Sequence, residues 1–219
     1  MIYEKGSFRD PAGKIYYKNN RIFRRLSTLG IDRYLALNEN SIISKSIKEG
    51  FLIDTKETHN EEGHNINKEE LILEHEKIEY ISYPYEWSFS QLKDAAIFHL
   101  DFHLFLLKND ATLIDASAYN IQFIGSKLKF IDVLSIKKYE EGEYWKGHKQ
   151  FCENFLNPLI LKSKKGIKFN NWFKGNLEGI QTDELNNLLN IFDKFSYNVF
   201  VHVHLLNKLE NKYTSKKTL

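Results

Sequence analysis

The chain has 219 residues, of which 42% are hydrophobic and 14% aromatic, enough for one large domain or two small lobes with a buried core. A formal net charge of +2 is too small to indicate nucleic-acid or membrane binding. The first ten residues lack the pattern of a signal peptide, and no apolar run approaches the roughly 20 residues that span a bilayer. Cys152 is the only cysteine, which excludes an internal disulfide and predicts a cytoplasmic protein.

The N-terminal part of the sequence predicts strands around one helix. A turn is indicated by Asp10-Pro11-Ala12-Gly13, and a hairpin by two apolar segments that flank Asn19-Asn20. The spacing of apolar residues over 31–49 predicts a helix that ends at Gly50. The polar stretch from Asp54 to Glu70 predicts a loop, or a loop leading into the next strand, and two further strands are predicted at 71–78 and 80–83.

The C-terminal part predicts a long helix followed by short strands and more helices. Ser88 or Ser90 is a candidate cap for a largely buried helix from about Gln91 to Lys108. Short strands are predicted at 112–114, 121–124 and 129–133, with a turn at Gly125-Ser126, and helices after about Tyr139. The strand-rich and helical parts meet near residues 82–90, which predicts an α+β fold of two lobes.

Three residues form the strongest chemical pattern in the sequence. Asp115 and Asn120 form an Asp-x-x-x-x-Asn between two short predicted strands, and Asp132 follows the next strand. This order matches a protein-kinase catalytic loop and its metal-binding Asp. The pattern therefore predicts Asp115 as the catalytic base, with Asn120 and Asp132 as Mg²⁺ ligands. The alternative is structural: Asp115 and Asn120 as turn residues, and Asp132 as a cap at a strand end.

Several segments together resemble one bacterial protein family. Its members usually carry this kinase-like region N-terminal to a SAM-dependent methyltransferase domain, and many are described only as methyltransferases or nodulation-related proteins. The segments that carry the resemblance are Ser82–Ser90, Leu92–Ala96, Asp115–Phe123 and Phe130–Ser135, with further agreement at Gln150–Glu153 and Phe155–Leu159. The resemblance implies a possible methyltransferase partner. Because no glycine-rich SAM-binding segment follows residue 161, methyltransferase activity within this chain is not expected.

The sequence also departs from ordinary protein kinases. Ile114 precedes Asp115, so the His-Arg or His-Gly that usually precedes the catalytic Asp of a kinase is missing. Val133-Leu134 follows Asp132 in place of Phe-Gly, and a Gly-x-Gly-x-x-Gly loop is also missing. Arg24 aligns with a basic residue typical of the family and is the candidate for the phosphate-binding lysine. A surface arginine is the alternative.

Two further roles remain open on the sequence alone. Candidate acids to pair with Arg24 are Glu39, Asp32 and Glu49. Tyr83 and Tyr85 lie in the predicted connection between the lobes, where kinases bind adenine, although this aromatic cluster also suits packing between lobes.

The histidines do not form a recognisable metal motif. His99 and His103 are four residues apart on an apolar helix and are predicted to be core residues. His202 and His204 would face different directions on a helix, and Cys152 beside Phe151 reads as a small packed hydrophobic side chain.

The sequence thus predicts a protein-kinase-like α+β fold, with a small N-terminal antiparallel sheet lobe over 1–87 and a larger helical lobe over 88–219. The predicted activity is transfer of phosphate from ATP, with Mg²⁺, to a hydroxyl of a sugar, glycan or other small acceptor. The alternatives are a catalytically silent kinase-like binding module and a partner subunit of a SAM-dependent methyltransferase.

Overall fold

A computed structural model describes residues 2–4, 10–58 and 71–209 and shows a mixed α+β protein with a small antiparallel sheet and several helices. None of the helices described is both long and apolar enough to cross a membrane. The chain divides into two compact units. The first comprises Met1–Ile81, Asp101–Ile114 and Asn120–Trp145, and the second comprises Ser82–Leu100, Asp115–Tyr119 and Lys146–Leu219. The predicted lobes, 1–87 and 88–219, stay a prediction.

A five-stranded antiparallel sheet forms much of the first unit. Its strands are β1 (Ile2–Tyr3), β2 (Gly13–Lys18), β3 (Arg21–Leu26), β4 (Thr55–Thr58) and β5 (Ile72–His75). They lie in the order β1-β2-β3-β5-β4, which places β3 at the centre of the sheet. Asn19 and Asn20 both adopt positive φ, 49° and 61°, in the turn between β2 and β3. Asparagine tolerates this conformation better than most residues, so the predicted hairpin is confirmed.

The helical segment after the hairpin is divided in two. Helix α1 (Thr28–Glu39) is capped by Ser27, whose side chain accepts a hydrogen bond from the Gly30 backbone N–H. Ser41, at φ 54°, adopts the left-handed conformation and separates α1 from α2 (Ile42–Lys48). The prediction of one continuous helix over 31–49 is therefore wrong, because the left-handed conformation of Ser41 interrupts the helical hydrogen bonding.

Two predictions around the sheet edge are corrected. The stretch predicted as a loop from Asp54 contains β4, which pairs with β5, while residues 59–70 lie outside the described part of the chain. The strand predicted over 80–83 is not formed, and Tyr80 is 76% exposed. Both errors have one physical cause: a strand requires a partner for its backbone groups, and the local sequence does not reveal which partner is available.

Two small two-stranded antiparallel sheets complete the strands of the first unit. Strands β6 (Ala111–Leu113) and β9 (Ile136–Lys138) pair with each other, as do β7 (Ile121–Ile124) and β8 (Lys127–Phe130). Gly125, at φ 62°, makes the turn between β7 and β8, as predicted. Strand β8 ends at Phe130, and Val133–Ser135 forms a 3₁₀-helical turn where the sequence predicted the end of the strand.

The long helix α3 spans Phe89–Leu107 and confirms the predicted helix. Ser88 caps it, because its side chain accepts from the Gln91 backbone N–H while the Gln91 side chain accepts from the Ser88 backbone N–H. The prediction that its apolar residues are mostly buried holds for Leu92 and Phe102 but not for Leu104, which is 55% exposed.

The second unit is largely helical. Its helices include α4 (His148–Phe151), α5 (Asn157–Lys165), α6 (Asn170–Gly175), α7 (Thr182–Leu188), α8 (Ile191–Lys194) and α9 (Tyr197–Val199). A π-helical segment, Cys152–Leu156, joins α4 to α5, and a second, Phe200–Leu205, follows α9. Helices were predicted from about Tyr139, but the first of them starts at His148.

His99 and His103 are buried, as predicted for core histidines. In the first unit, His103 Nε2 lies 2.9 Å from Thr112 Oγ1, and its ring centroid lies 4.4 Å from that of Trp145. In the second unit, the ring of His99 contacts those of Phe151 and Phe155, with centroids 5.5 and 5.6 Å away.

Burial of His103 predicts a measurable loss of stability in mild acid. Burial lowers the pKa of His103 to about 4, and burial together with the Arg24 charge lowers the pKa of His75 to about 4. Between about pH 4 and pH 6.5 the unfolded chain binds protons that the folded chain does not, so stability falls as pH falls. Each histidine contributes about 1.4 kcal/mol per pH unit in that window.

We therefore expect His103→Gln to reduce the slope of unfolding free energy against pH by about 1.4 kcal/mol per unit between pH 4.5 and 6. Urea unfolding at several pH values measures this slope. His64→Gln serves as a control, because it removes a histidine from the polar stretch between Asp54 and Glu70. An unchanged slope in His103→Gln would contradict a neutral buried imidazole.

Candidate functional site

An ion triad of Asp10, Arg24 and Asp132 lies in the first unit, with Arg24 buried and both carboxylates partly exposed. Arg24 Nη1 donates to Asp132 Oδ1 at 2.5 Å, and Arg24 Nη2 donates to Asp10 Oδ2. Arg24 lies on the central strand β3, opposite Ile15 on one side and Leu73 on the other, and only 5% of its surface is exposed. The alternative of a surface arginine is therefore wrong.

The acids that pair with Arg24 differ from those that the sequence suggested. Among the described residues they are Asp10 and Asp132, and not the helical acids Glu39, Asp32 or Glu49. By analogy with kinases, the acid that pairs with Arg24 was expected to lie on a helix. The sequence located Asp10 in a turn, but a turn residue carries no local signal for a partner 14 positions away.

Local structure around the turn holds Asp10 in place. Asp10 Oδ1 accepts a hydrogen bond from the Ala12 backbone N–H at 2.9 Å, an arrangement typical of Asx-turns. Next to it, a Cβ on Gly13 would lie 2.7 Å from the Arg25 carbonyl oxygen. Gly13 therefore lets the start of β2 approach β3 closely, beside the Arg24 side chain.

Asp132 lies just beyond β8 and is held by three neighbours. Besides Arg24, the Ser135 hydroxyl donates to Oδ2, and the Leu134 backbone N–H donates to Oδ1 at 3.3 Å. Asp132 thus caps the turn Val133–Ser135, the structural role that the sequence left as an alternative. Its role as a metal ligand stays a prediction. Sequence reasoning missed Ser135, although a serine three residues after an aspartate is a common local partner.

Arg24 and Asp132 keep their charges at neutral pH. Burial alone would raise the pKa of Asp132, but the Arg24 charge and the hydrogen bonds from Arg24, Ser135 and Leu134 outweigh it and lower that pKa. Burial likewise opposes the charge on Arg24, yet Asp132 and Asp10 raise its pKa further. With two carboxylates and one guanidinium, the triad carries a formal charge of −1, which favours a nearby cation.

Asn120 lies at the start of β7 in the same unit. Its backbone carbonyl accepts from the Ile131 backbone N–H at 2.9 Å, so the hairpin places Asn120 beside the residue that precedes Asp132. Within the described residues, its buried Nδ2 has no hydrogen-bond partner. A buried amide with an unused polar atom suits a ligand that supplies the missing interaction. Since the amide N and O assignment is a choice, either atom can face such a ligand.

A pocket of about 430 Å³ lies at the β4–β5 edge of the sheet in this unit. His75 lines it and places Nδ1 2.9 Å from Thr55 Oγ1. Acidic and basic side chains share the lining, namely Asp54, Lys56, Glu74 and Glu76. Burial, with a contribution from the Arg24 charge, lowers the pKa of His75 to about 4.

Asp115 belongs to the second unit, where its segment is fixed by a helix. Asp115 Oδ1 accepts from the Ser117 backbone N–H at 2.8 Å, as a turn residue does. The backbone N–H of Ala116 donates to Gln150 Oε1 at 2.7 Å, and that of Ala118 donates to Asn154 Oδ1 at 3.0 Å. Two side chains one helical turn apart therefore set the path of the predicted catalytic loop. The catalytic role of Asp115 stays a prediction.

Tyr83 and Tyr85 form an aromatic pair in the second unit. Their rings stack with centroids 5.3 Å apart, and Tyr83 is 42% exposed. The Tyr83 backbone N–H donates to Glu86 Oε2, and the Tyr85 carbonyl accepts from Asn170 Nδ2. Those two backbone groups are therefore engaged within the protein, and the role of Tyr83 and Tyr85 in binding adenine stays a prediction.

Comparison with known proteins identifies a relative with a role in nodulation. The chain is 41% identical over 213 residues to nodulation protein NoeA of Rhizobium meliloti (strain 1021). The aligned part covers 96% of this chain and 44% of that protein, so the chain spans less than half the length of its relative. No family model matches the chain. This similarity supports the part of the sequence-based resemblance that concerns nodulation-related proteins.

Proposed function

Starting from the similarity to a nodulation protein, we propose that the chain is a cytoplasmic, kinase-like phosphotransferase that uses Mg²⁺ and ATP. Its acceptor would be a hydroxyl of a sugar, a glycan or another small molecule. The observation that supports this proposal is the ion pair between Arg24 on the central strand β3 and Asp132 beyond β8. In kinases, a basic strand residue and a metal-binding Asp act on the phosphates of one nucleotide.

The charges of the two residues suit this chemistry. Phosphoryl transfer needs little covalent assistance from a protein, which mainly positions the reactants and neutralises charge. Arg24 keeps its positive charge and has a planar fork of donors that matches phosphate oxygens. Asp132 is ionised at neutral pH, and the net formal charge of the triad favours a cation.

The proposed roles follow from the residue chemistry. Asn120 and Asp132 would hold Mg²⁺, which supplies charge neutralisation to the transferred phosphoryl group when bound. Asp115 would accept the proton of the acceptor hydroxyl. Tyr83 and Tyr85 would contact the adenine ring. A kinase-like fold of two lobes is part of the same proposal.

Ligand-induced stabilisation tests the nucleotide and metal roles. We expect ATP with Mg²⁺ to stabilise the wild-type chain, by about 2.7 kcal/mol at a hundredfold excess over Kd. In Asp132→Asn the Mg²⁺-dependent part of that stabilisation should disappear, because an amide lacks the charge that holds the ion. Each variant is compared with its own ligand-free melting temperature, which separates binding from the loss of the ion pair.

Asp110→Asn is a matched control for this experiment. Asp110 is exposed and adopts a left-handed conformation at φ 57°, which asparagine tolerates. Its nucleotide stabilisation should equal that of the wild type. If neither ATP nor ADP stabilises the wild type, the nucleotide role is wrong. Persistence of the Mg²⁺ effect in Asp132→Asn would remove that residue from the metal site.

A catalytically silent binding module, or a partner subunit of a SAM-dependent methyltransferase, is the second candidate function. It is favoured by one observation: both oxygens of Asp132 and one oxygen of Asp115 already accept internal hydrogen bonds. Such a module would bind nucleotide or a partner without turnover. Measuring ADP release distinguishes the two candidates.

A further inference from the structure

Three metal-ligating side chains meet in the second unit, at residues that phosphoryl transfer does not use. They are His148, Cys152 and His202, and one ligand atom from each lies within 4.8 Å of the other two. His148 Nε2 lies 3.8 Å from Cys152 Sγ, and the ring centroids of His148 and His202 are 5.9 Å apart. We propose that His148, Cys152 and His202 form a Zn²⁺ site.

The distances suit a tetrahedral ion after small adjustments. With Zn–S of about 2.3 Å and Zn–N of about 2.05 Å, tetrahedral angles require about 3.6 Å between S and N and about 3.4 Å between two N atoms. The observed 3.8 Å between Sγ and Nε2 is close to the first value. Every ligand atom already lies within 4.8 Å of the others, so the adjustment that binding requires is at most about 1.4 Å between any two of them.

The chemistry of the three side chains favours zinc. One thiolate and two imidazoles form a mixed sulfur and nitrogen set, which Zn²⁺ binds without a geometric demand of its own. Cys152 is 1% exposed, so a reactive nucleophile is disfavoured because a substrate has no access to its sulfur. Both histidines are partly exposed, which leaves the ion a route of entry and a fourth position for water.

The helices that carry the ligands are unusual at those residues. His148 and Cys152 are one helical turn apart and therefore on the same face. Cys152 begins one π-helical segment, Cys152–Leu156, and His202 lies within the other, Phe200–Leu205. Such segments are rare and occur frequently at functional sites, because the widened turn redirects side chains. Here both segments contribute a ligand.

A bound ion would link two helical regions that are about fifty positions apart in the sequence. His148 and Cys152 lie at the beginning of the helical run that continues through α5, and His202 follows α9. Binding releases the thiol proton of Cys152 as its sulfur forms the bond to zinc, so affinity rises with pH. Because the ion would join these two regions, its binding would stabilise the C-terminal helices whether or not nucleotide is bound.

Cobalt spectroscopy followed by zinc competition tests the site in the untagged and reduced chain of 219 residues. After treatment with a chelator, we expect one Co²⁺ per chain, with a thiolate-to-cobalt charge-transfer band and the intense d–d bands of a tetrahedral ion. Added Zn²⁺ should abolish those bands and raise the melting temperature. A folded wild-type chain that binds neither ion, or that binds Co²⁺ without a thiolate band, overturns the proposal.

Variants identify the ligands. Cys152→Ser and His202→Gln should each weaken zinc binding by more than about 10- to 100-fold, the loss common even for residues that only support a ligand. His204→Gln is the matched control, because His204 lies two residues away and its Nδ1 is 3.3 Å from Asn186 Oδ1. Circular dichroism verifies that each variant is folded, and His202→Gln removes a partly exposed side chain if Cys152→Ser does not fold.

Equal zinc affinity in His202→Gln and His204→Gln would assign the binding to scattered surface histidines and overturn the site. Asp132→Asn should bind zinc like the wild type. Failure of the nucleotide experiment therefore leaves this proposal standing, and failure of zinc binding leaves the nucleotide proposal standing.

Discussion

Replacing Arg24 with methionine is expected to lower the free energy of unfolding by about 3 kcal/mol. Methionine keeps much of the side-chain volume but leaves Asp10 and Asp132 without their shared counter-charge, at a position where Arg24 is 5% exposed. Breaking a buried ion pair typically costs about 3–5 kcal/mol, and the lower end applies because both carboxylates retain partial exposure. Urea unfolding at pH 7 measures the loss.

Two further variants test whether this loss of stability comes from the interaction between Arg24 and Asp132. Lys56→Met alters a cation of the same sheet whose side chain is 72% exposed beside Glu74, and should cost no more than about 1 kcal/mol. Adding Asp132→Asn to Arg24→Met should restore part of the stability, because it removes one uncompensated charge. A strictly additive double variant would show that the two side chains do not interact.

The dependence on pH has a defined direction. Because the folded pKa of Asp132 is lowered, the stability that this carboxylate contributes is present above its ordinary pKa of about 3.9. That contribution is lost as pH falls through the lower folded value. The difference between wild type and Arg24→Met should therefore shrink in strong acid.

Asp115→Asn is expected to lower phosphate turnover by about 10²- to 10⁴-fold, the usual effect of removing a general base. Nucleotide affinity should be unchanged, because the proposed base acts on the acceptor hydroxyl and not on ATP. Asparagine retains the oxygen that accepts from the Ser117 backbone N–H, so the loop should keep its path. Slow ATP hydrolysis to water, followed as ADP release, replaces the unknown acceptor.

Asp94→Asn serves as the control for this measurement, since Asp94 is an exposed acid on α3 in the same unit. It should turn over ATP at the wild-type rate. Equal rates in wild type and Asp115→Asn would remove Asp115 from catalysis. A wild-type chain that binds ATP with Mg²⁺ but releases no ADP, even with glycan extracts added, would favour the silent binding module.

The sequence by itself determined the elements whose signals lie within a few residues. The turns at Asn19-Asn20 and Gly125 were predicted and are observed, and of the two predicted candidates for the cap of α3, Ser88 and Ser90, the structure shows Ser88. Each depends on backbone conformation or on a hydrogen bond between near neighbours, which the residue types themselves favour. Asp132 was singled out from its position after a predicted strand, and Arg24 from its alignment with a basic residue typical of the family that the sequence resembles.

Only the tertiary structure decided which distant side chains meet. Asp10 was visible as a turn residue, but its pairing with Arg24 depends on how β2 lies against β3. Likewise, the burial of Cys152 was predicted and is observed, but the approach of His202, fifty positions away, was not predicted. The physical reason is that long-range contacts follow from the packing of whole elements, whose partners and angles no local spacing encodes.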